Sequence, residues 1–123
     1  MDARMFYVLI ALVLALTVYG QLIVKARAAV YSGGPGLSKM AYLAAMFTDI
    51  HVLAGLAAAV LASALWFLAI ERASLSYTYP FMALTFALVP IGSKFLLDDL
   101  ISPIQWIGMG LIVIGVSLNA LAR

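Results

Sequence analysis

Apolar residues run through this chain in four long stretches, at about residues 5–24, 52–70, 76–97 and 104–121, with no charged side chain in the middle of any of them. Each is close to the roughly 20 residues that a helix needs to cross a hydrocarbon core about 30 Å thick. A charge at mid-helix costs about 2.5–3.5 kcal/mol on insertion scales, which matches its exclusion from these stretches. A fifth, shorter element is also legible. Met40, Leu43, Met46 and Phe47 recur at helical spacing within about residues 38–47, with Ser38 in position to cap the start. So few residues cannot span, so this stretch is expected to lie in the interface. The pattern therefore predicts an all-α membrane protein, with four transmembrane helices plus a short interfacial helix. Residues 1–123 form a single transmembrane domain.

Breakers and caps refine this picture. The one long connection expected runs over residues 26–51, around the turn cluster Ser32-Gly33-Gly34-Pro35-Gly36. Ala26-Arg27-Ala28 has small residues at the spacing of a cleavage site. The apolar run before it is longer than the roughly 7–15 residues of a signal peptide, so it reads as a retained first helix. Ser102-Pro103-Ile104-Gln105 combines an N-cap serine, proline at the first helical position and glutamine at the third, predicting a capping box for the fourth span. The third span holds Pro80 and Pro90. Each removes a hydrogen bond and frees a carbonyl, that of Ser76 or of Phe86. In lipid such carbonyls must be satisfied by protein or water, so a kinked third helix should face protein or a cavity.

Composition narrows the function classes. Of 123 residues, 67% are hydrophobic and 10% charged, against about 45–50% and 25% in soluble domains. A soluble enzyme, a nucleic-acid module and a disordered tail are all excluded, and no basic block suggests a nucleic-acid partner. There is no cysteine and a single histidine, so no disulfide, thiol nucleophile, metal centre or other cofactor is implied. With four spans, Arg4, Arg72 and Arg123 share one side, and Lys25, Arg27, Lys39 and Lys94 the other. That bias is too small to fix orientation. Either a partner sets it, or the chain inserts both ways, which would permit an antiparallel dimer; a single topology with a weak signal is the plain alternative.

The rare polar groups mark candidate sites. Thr17, Gln21 and Lys25 recur every four residues and share one stripe of the first helix, with Gly20 beside it. Such a stripe can bind an anionic group, the lysine acting as a point charge. Alternatively, Gln21 bonds a neighbouring helix and Lys25 anchors the helix end. Tyr77 and Tyr79 at the start of the third span suit an interfacial aromatic belt. In the functional alternative, Tyr79, Met82 and Thr85 face a substrate path opened by Pro80. Glu71 and Arg72 sit at a membrane boundary, where a solvated pair is worth little. Folded inward, Arg72 would meet a lipid phosphate and Glu71 would be a possible proton carrier. Asp98 and Asp99 read as a hydrated loop, and His51 as the beginning of the second span. Gly108 and Gly115 share a face of the fourth span and are candidates for close helix packing, including dimer packing.

Three stretches carry a family resemblance: Gly20-Gln21-Leu22 followed by Lys25; residues 73–84, from Ala73-Ser74-Leu75 through Tyr79-Pro80-Phe81; and Ser102-Pro103-Ile104-Gln105-Trp106-Ile107-Gly108 with Gly115-Val116. In their order and spacing the chain resembles the four-helix branch of the drug/metabolite transporter superfamily. Within it, small multidrug resistance proteins place an essential glutamate where this chain has Thr17. Their glycine hinge aligns with Leu84-Thr85-Phe86, and the tryptophan before it with Met82. The chain looks more like the small subunits that flip undecaprenyl-phosphate-linked aminoarabinose, with Thr78 in place of an alanine. That resemblance implies a flippase of a polyprenyl-phosphate-linked sugar or similar anionic lipid, multi-pass in the inner membrane. Lys25, with Arg72 or Lys94, would hold the phosphate, and Gln21 and Tyr79 would line the route. Four helices are few to enclose such a route, so a homo- or heterodimer is expected. Two other readings stay open: a proton-coupled exporter of cationic drugs or metabolites using Glu71, and a non-transporting subunit of a membrane complex.

Overall fold

The computed structural model describes residues 3–32 and 38–122. The Gly33-Gly34-Pro35-Gly36 turn cluster and Arg123 fall outside them. Helix α1 spans Ala3–Ser32, α2 Lys39–Thr48 and α3 Ile50–Arg72. The third span begins as α4, Leu75–Thr78, tightens into a 3-10 segment, Tyr79–Leu84, and resumes as α5, Thr85–Leu97. Helix α6 covers Pro103–Leu121. Four helical stretches, Ala3–Tyr31, Ile50–Arg72, Leu75–Leu97 and Pro103–Leu121, are long and apolar enough to cross a membrane. The described residues contain no strand.

The largest departure from expectation concerns α1. Its 30 residues would measure about 45 Å, well beyond the roughly 30 Å hydrocarbon core. The expected loop from residue 26 is instead two further helical turns, and Lys25 lies inside the helix rather than at its end. Ala26, Ala28 and Ala29 explain this: alanine has the highest helix propensity, and no breaker occurs before the glycines. Hydropathy locates where a helix leaves lipid, not where it stops.

Caps behave as their chemistry dictates. Ser38 Oγ accepts from the Ala41 N–H at 3.2 Å and starts α2. Ser102 Oγ accepts from the Gln105 N–H at 3.3 Å while Gln105 Oε1 accepts from the Ser102 N–H at 2.8 Å, completing the capping box of α6. In the third span the break falls at Pro80, which opens the 3-10 segment, whereas α5 runs helically through Pro90. Thr78 and Thr85 turn their hydroxyls onto the carbonyls of Ser74 and Met82, both at 2.8 Å. The first bond serves the carbonyl of the α4 N-cap, and the second a carbonyl inside the tightened segment.

Helices α1 and α3 run antiparallel and carry the tightest packing. Val52, Gly55, Ala58, Ala62 and Ala69 form the buried stripe of α3, nearly all of it small. At the crossing, a β-carbon on Gly20 would stand 3.1 Å from the Gly55 carbonyl oxygen. Gly92 of α5 plays the same part against α1, where a β-carbon would come within 2.8 Å of Leu22. With no hydrophobic drive between helices in lipid, such close approach is what holds them together. Gly108 and Gly115, by contrast, have nothing within 4 Å of where a β-carbon would stand. Helix α6 packs on the third span, along the 3-10 segment and α5. Its Ile104, Ile107, Leu111, Ile114 and Leu118 are all exposed.

The core lies at the end of the bundle where α1 begins and α3 and α6 finish. Phe6, Leu9, Ile10, Leu14, Ala69, Phe81 and Val116 form it. Phe6, Tyr7, Tyr77 and Phe81 interlock there, with ring centroids 5.3–6.1 Å apart. Tyr7 and Tyr77 share a hydroxyl hydrogen bond of 2.7 Å, and Asn119 Nδ2 donates to the Tyr77 carbonyl at 2.9 Å. These bonds tie α1, the third span and α6 together at one end. From Trp66 and Met82, which pack against this core, a cleft runs between α1 and α3 toward the opposite end.

Candidate functional site

The Thr17–Gln21–Lys25 stripe of α1 faces both neighbours of that helix. On the α3 side lies a cleft of about 500 Å³, whose walls include Thr17, Gln21, Ser63, Trp66, Tyr79 and Met82. On the α5 side lies a second, of about 460 Å³, lined among others by Gln21, Lys25, Pro90, Ser93, Asp99 and Gln105. Gln21 lines both, so the stripe joins them. A smaller hollow by Thr17, Gln21, Thr85 and Pro90 continues the same groove.

The first cleft is apolar with a few hydroxyl and amide groups. Trp66 and Tyr79 meet edge-to-face at 6.0 Å and form one wall. No carboxylate and no cation lines it. Charge enters only in the second cleft, through Lys25 and Asp99. Gln21 and Lys25 make no hydrogen bond or ion pair with any described residue. The structure thus gathers Thr17, Gln21, Tyr79 and Met82 in one cleft and Gln21, Lys25 and Pro90 in the next.

Other candidates lie elsewhere. Measured from the Gly20–Gly55 contact, Arg72 is about 25 Å along α3 toward the start of α1, while Lys25 is about 7 Å the other way. In this arrangement one headgroup cannot touch both. Glu71 and Arg72 are exposed, line neither cleft, and form no ion pair among the described residues. Lys94 shares the Lys25 end but stacks its Nζ over Trp106, 5.0 Å from the ring centroid, and over Phe95 at 5.8 Å.

Sequence reasoning missed a charged cluster where α1 meets the junction of α2 and α3. Asp49 caps α3, its Oδ1 accepting from the N–H groups of His51 at 2.8 Å and Val52 at 3.2 Å. Its Oδ2 accepts from Tyr31 Oη at 2.5 Å and from Arg27 Nε at 3.0 Å, with Arg27 Nη2 at 2.9 Å. The Tyr31 hydroxyl is the largest influence on this carboxyl; burial opposes it, and the Arg27 guanidinium and the two amides add to it. Together they hold Asp49 well below the usual carboxylate range. The signal was present: an aspartate directly before an apolar run is an N-cap, and Arg27 and Tyr31 are four apart. It becomes readable only when α1 continues past Val24. Trp66 and Ser63 were missed because nothing local tells which face of α3 lines a cleft. Among the described residues no group of three or more His, Cys, Asp or Glu could hold a metal ion.

Fold and clefts together define a multi-pass helical membrane protein with clefts along its first helix, into which a few polar side chains reach. A protein of Serratia proteamaculans, described as a probable 4-amino-4-deoxy-L-arabinose-phosphoundecaprenol flippase subunit ArnE, is 30% identical over 115 residues, covering 94% of this chain and 95% of the relative. Proteins of the same description from Aeromonas salmonicida and Aeromonas hydrophila are 39% and 35% identical over 54 residues, 44% of this chain. Those shorter matches span about half the length of the Aeromonas relatives (47%). The chain belongs to this family of small flippase subunits. No protein-family model matches it, and no solved structure does.

Proposed function

We propose that the chain is one protomer of an inner-membrane transporter that moves a polyprenyl-phosphate-linked sugar, or a similar anionic lipid, between leaflets without covalent chemistry. The observation that carries this reading is the α1 stripe. It runs through joined clefts and ends on a lysine without a partner among the described residues. On this reading Lys25 takes the phosphate as a point charge, Gln21 and Thr17 hand the headgroup along the groove, and Tyr79 and Met82 line the far cleft. The relatives' description as flippase subunits supports a lipid-linked sugar as cargo and a second small chain as partner. Association through the exposed face of α6, with Gly108 and Gly115 at the contact, fits the open glycine positions there. The cation-exporter alternative has less support, because Glu71 lies outside both clefts.

The test is reconstitution in liposomes, alone and with a co-purifying small subunit, using a fluorescent polyprenyl-phosphate sugar. Transbilayer movement is expected with the native chain. Lys25→Ala is expected to abolish it while membrane insertion and thermal stability are retained. Unimpaired movement in that variant refutes the phosphate role. No movement with any partner, alongside a stable hetero-complex, assigns the chain to a non-transporting subunit.

A further inference from the structure

The cleft between α1 and α5 holds two opposite charges that do not neutralise each other. Lys25 and Asp99 both line it, yet no ion pair joins them, nor does either pair with another described residue. Asp99 is not a floppy loop carboxylate. Asp98 ends α5 in the left-handed conformation, φ 58°, and this turn brings the chain back onto Ser93. The Asp99 N–H donates to the Ser93 carbonyl at 3.3 Å, and Ser93 Oγ donates to Asp99 Oδ2. One carboxylate oxygen is thereby pinned, and Oδ1 accepts no hydrogen bond from any described residue. The carboxylate also sits at a helix C-terminus, where the peptide dipoles already place partial negative charge. The site therefore attracts a cation. The nearest lysine in sequence, Lys94, is engaged with Trp106 rather than with Asp99.

A cleft of about 460 Å³ with a cation and a pinned carboxylate on its walls is the complement of a dipolar headgroup, in a volume range usual for small-molecule sites. Building on the proposed lipid-transport reading, the geometry points to Asp99 as the specificity-determining residue for a positively charged amine on the headgroup, with Lys25 holding its phosphate. A ligand carrying both charges satisfies both walls at once. One that carries only phosphate leaves the Asp99 carboxylate facing it, and like charges repel. Two lipid classes offer this ammonium–phosphate chemistry: an amino-sugar linked to a polyprenyl phosphate, and an ethanolamine phospholipid.

The experiment measures binding to the purified chain in nanodiscs of phosphatidylcholine. The probes are a polyprenyl phosphate bearing an amino-pentose, the same lipid with its amine acetylated, and phosphatidylethanolamine. The free-amine lipid is expected to bind about tenfold more tightly than the acetylated one, the size of one charge-assisted hydrogen bond. Asp99→Asn, which keeps an acceptor for Ser93, is expected to erase that difference by weakening the amine form and relieving the repulsion of the acetylated one. Lys25→Gln is expected to weaken both forms alike. If the native chain binds both forms equally and Lys25→Gln loses both, the Asp99 inference is overturned while the phosphate reading stands. If neither form binds, both fall. Ethanolamine lipid binding with the same Asp99 dependence supports the charge pair and assigns its source to bulk phospholipid. The native chain's discrimination between the two polyprenyl probes needs no variant, so a misfolded Asp99→Asn does not remove the test.

Discussion

Replacing Gly20 by valine strikes the contact on which the α1–α3 pair depends. The ideal β-carbon at Gly20 stands 3.1 Å from the Gly55 carbonyl oxygen and 3.8 Å from its carbon. Both are backbone atoms, so no rotamer change relieves the crowding and the helices themselves must separate. For Gly20→Ala the gain in helix propensity, about 0.8–1 kcal/mol, works against overpacking of about 1–3 kcal/mol, and the net effect is a loss of about 0–2 kcal/mol. Valine adds two γ-carbons, forfeits most of the propensity gain and widens the gap, so Gly20→Val is expected to lose about 2–3 kcal/mol. The control is Gly110→Val, where nothing lies within 4 Å of the new β-carbon, with an expected change below about 0.5 kcal/mol. Equilibrium unfolding in mixed detergent–SDS micelles, followed by far-UV circular dichroism, reads both. A loss of 2 kcal/mol shifts the folding constant by about 30-fold. Because Gly20 and Gly55 also line the first cleft, Gly20→Val should impair transport in step with stability. If Gly20→Val unfolds at the same SDS fraction as Gly110→Val, the close-packed crossing is not what holds α1 to α3.

Other consequences are equally direct. Asp49 is held ionised by Tyr31, Arg27 and two amides, so its contribution to stability is complete above the ordinary carboxylate range and fades as pH falls below about 4. Native melting temperature should therefore drop more steeply between about pH 4 and 2 than that of Asp49→Asn; parallel curves would refute the clamp. Tyr77→Phe removes the hydroxyl shared with Tyr7 and should cost about 0.5–1.5 kcal/mol in the same SDS titration, with no effect on probe binding at the far end. Asp98→Gly relieves a side chain held at φ 58° and should stabilise the chain by a few tenths to about 1 kcal/mol. Gly115→Leu, at a position with no neighbour within 4 Å, should leave folding unchanged while weakening chain–chain association in crosslinking; intact association would move the contact off that face.

The spans and the capped start of α6 were legible because each depends on neighbours in sequence. Ser102 and Gln105 need only each other's backbone, and a 20-residue apolar run needs only the bilayer. Asp49 shows the opposite case. As a cap it was readable, but its bonds to Arg27 and Tyr31 come from a helix that hydropathy ends too early. The stripe of Thr17, Gln21 and Lys25 was readable as a stripe, yet nothing local indicated that it runs between two clefts, or that Arg72 stands about 30 Å away from Lys25.

By itself, then, the sequence determined that this chain crosses the membrane four times, that α2 and α6 start on serine caps, and that no carboxylate interrupts the first span. Transfer free energy and local hydrogen bonding decide those matters residue by residue. The tertiary structure decided which glycines are contacts, Gly20, Gly55 and Gly92 rather than Gly108 and Gly115. It also set which aromatic rings close one end, and that Asp99 shares a cleft with Lys25. In water, polarity marks the outward face of a helix. In lipid both faces are apolar, and the choice between them falls to shape and to a few polar pairs that only the folded chain brings together.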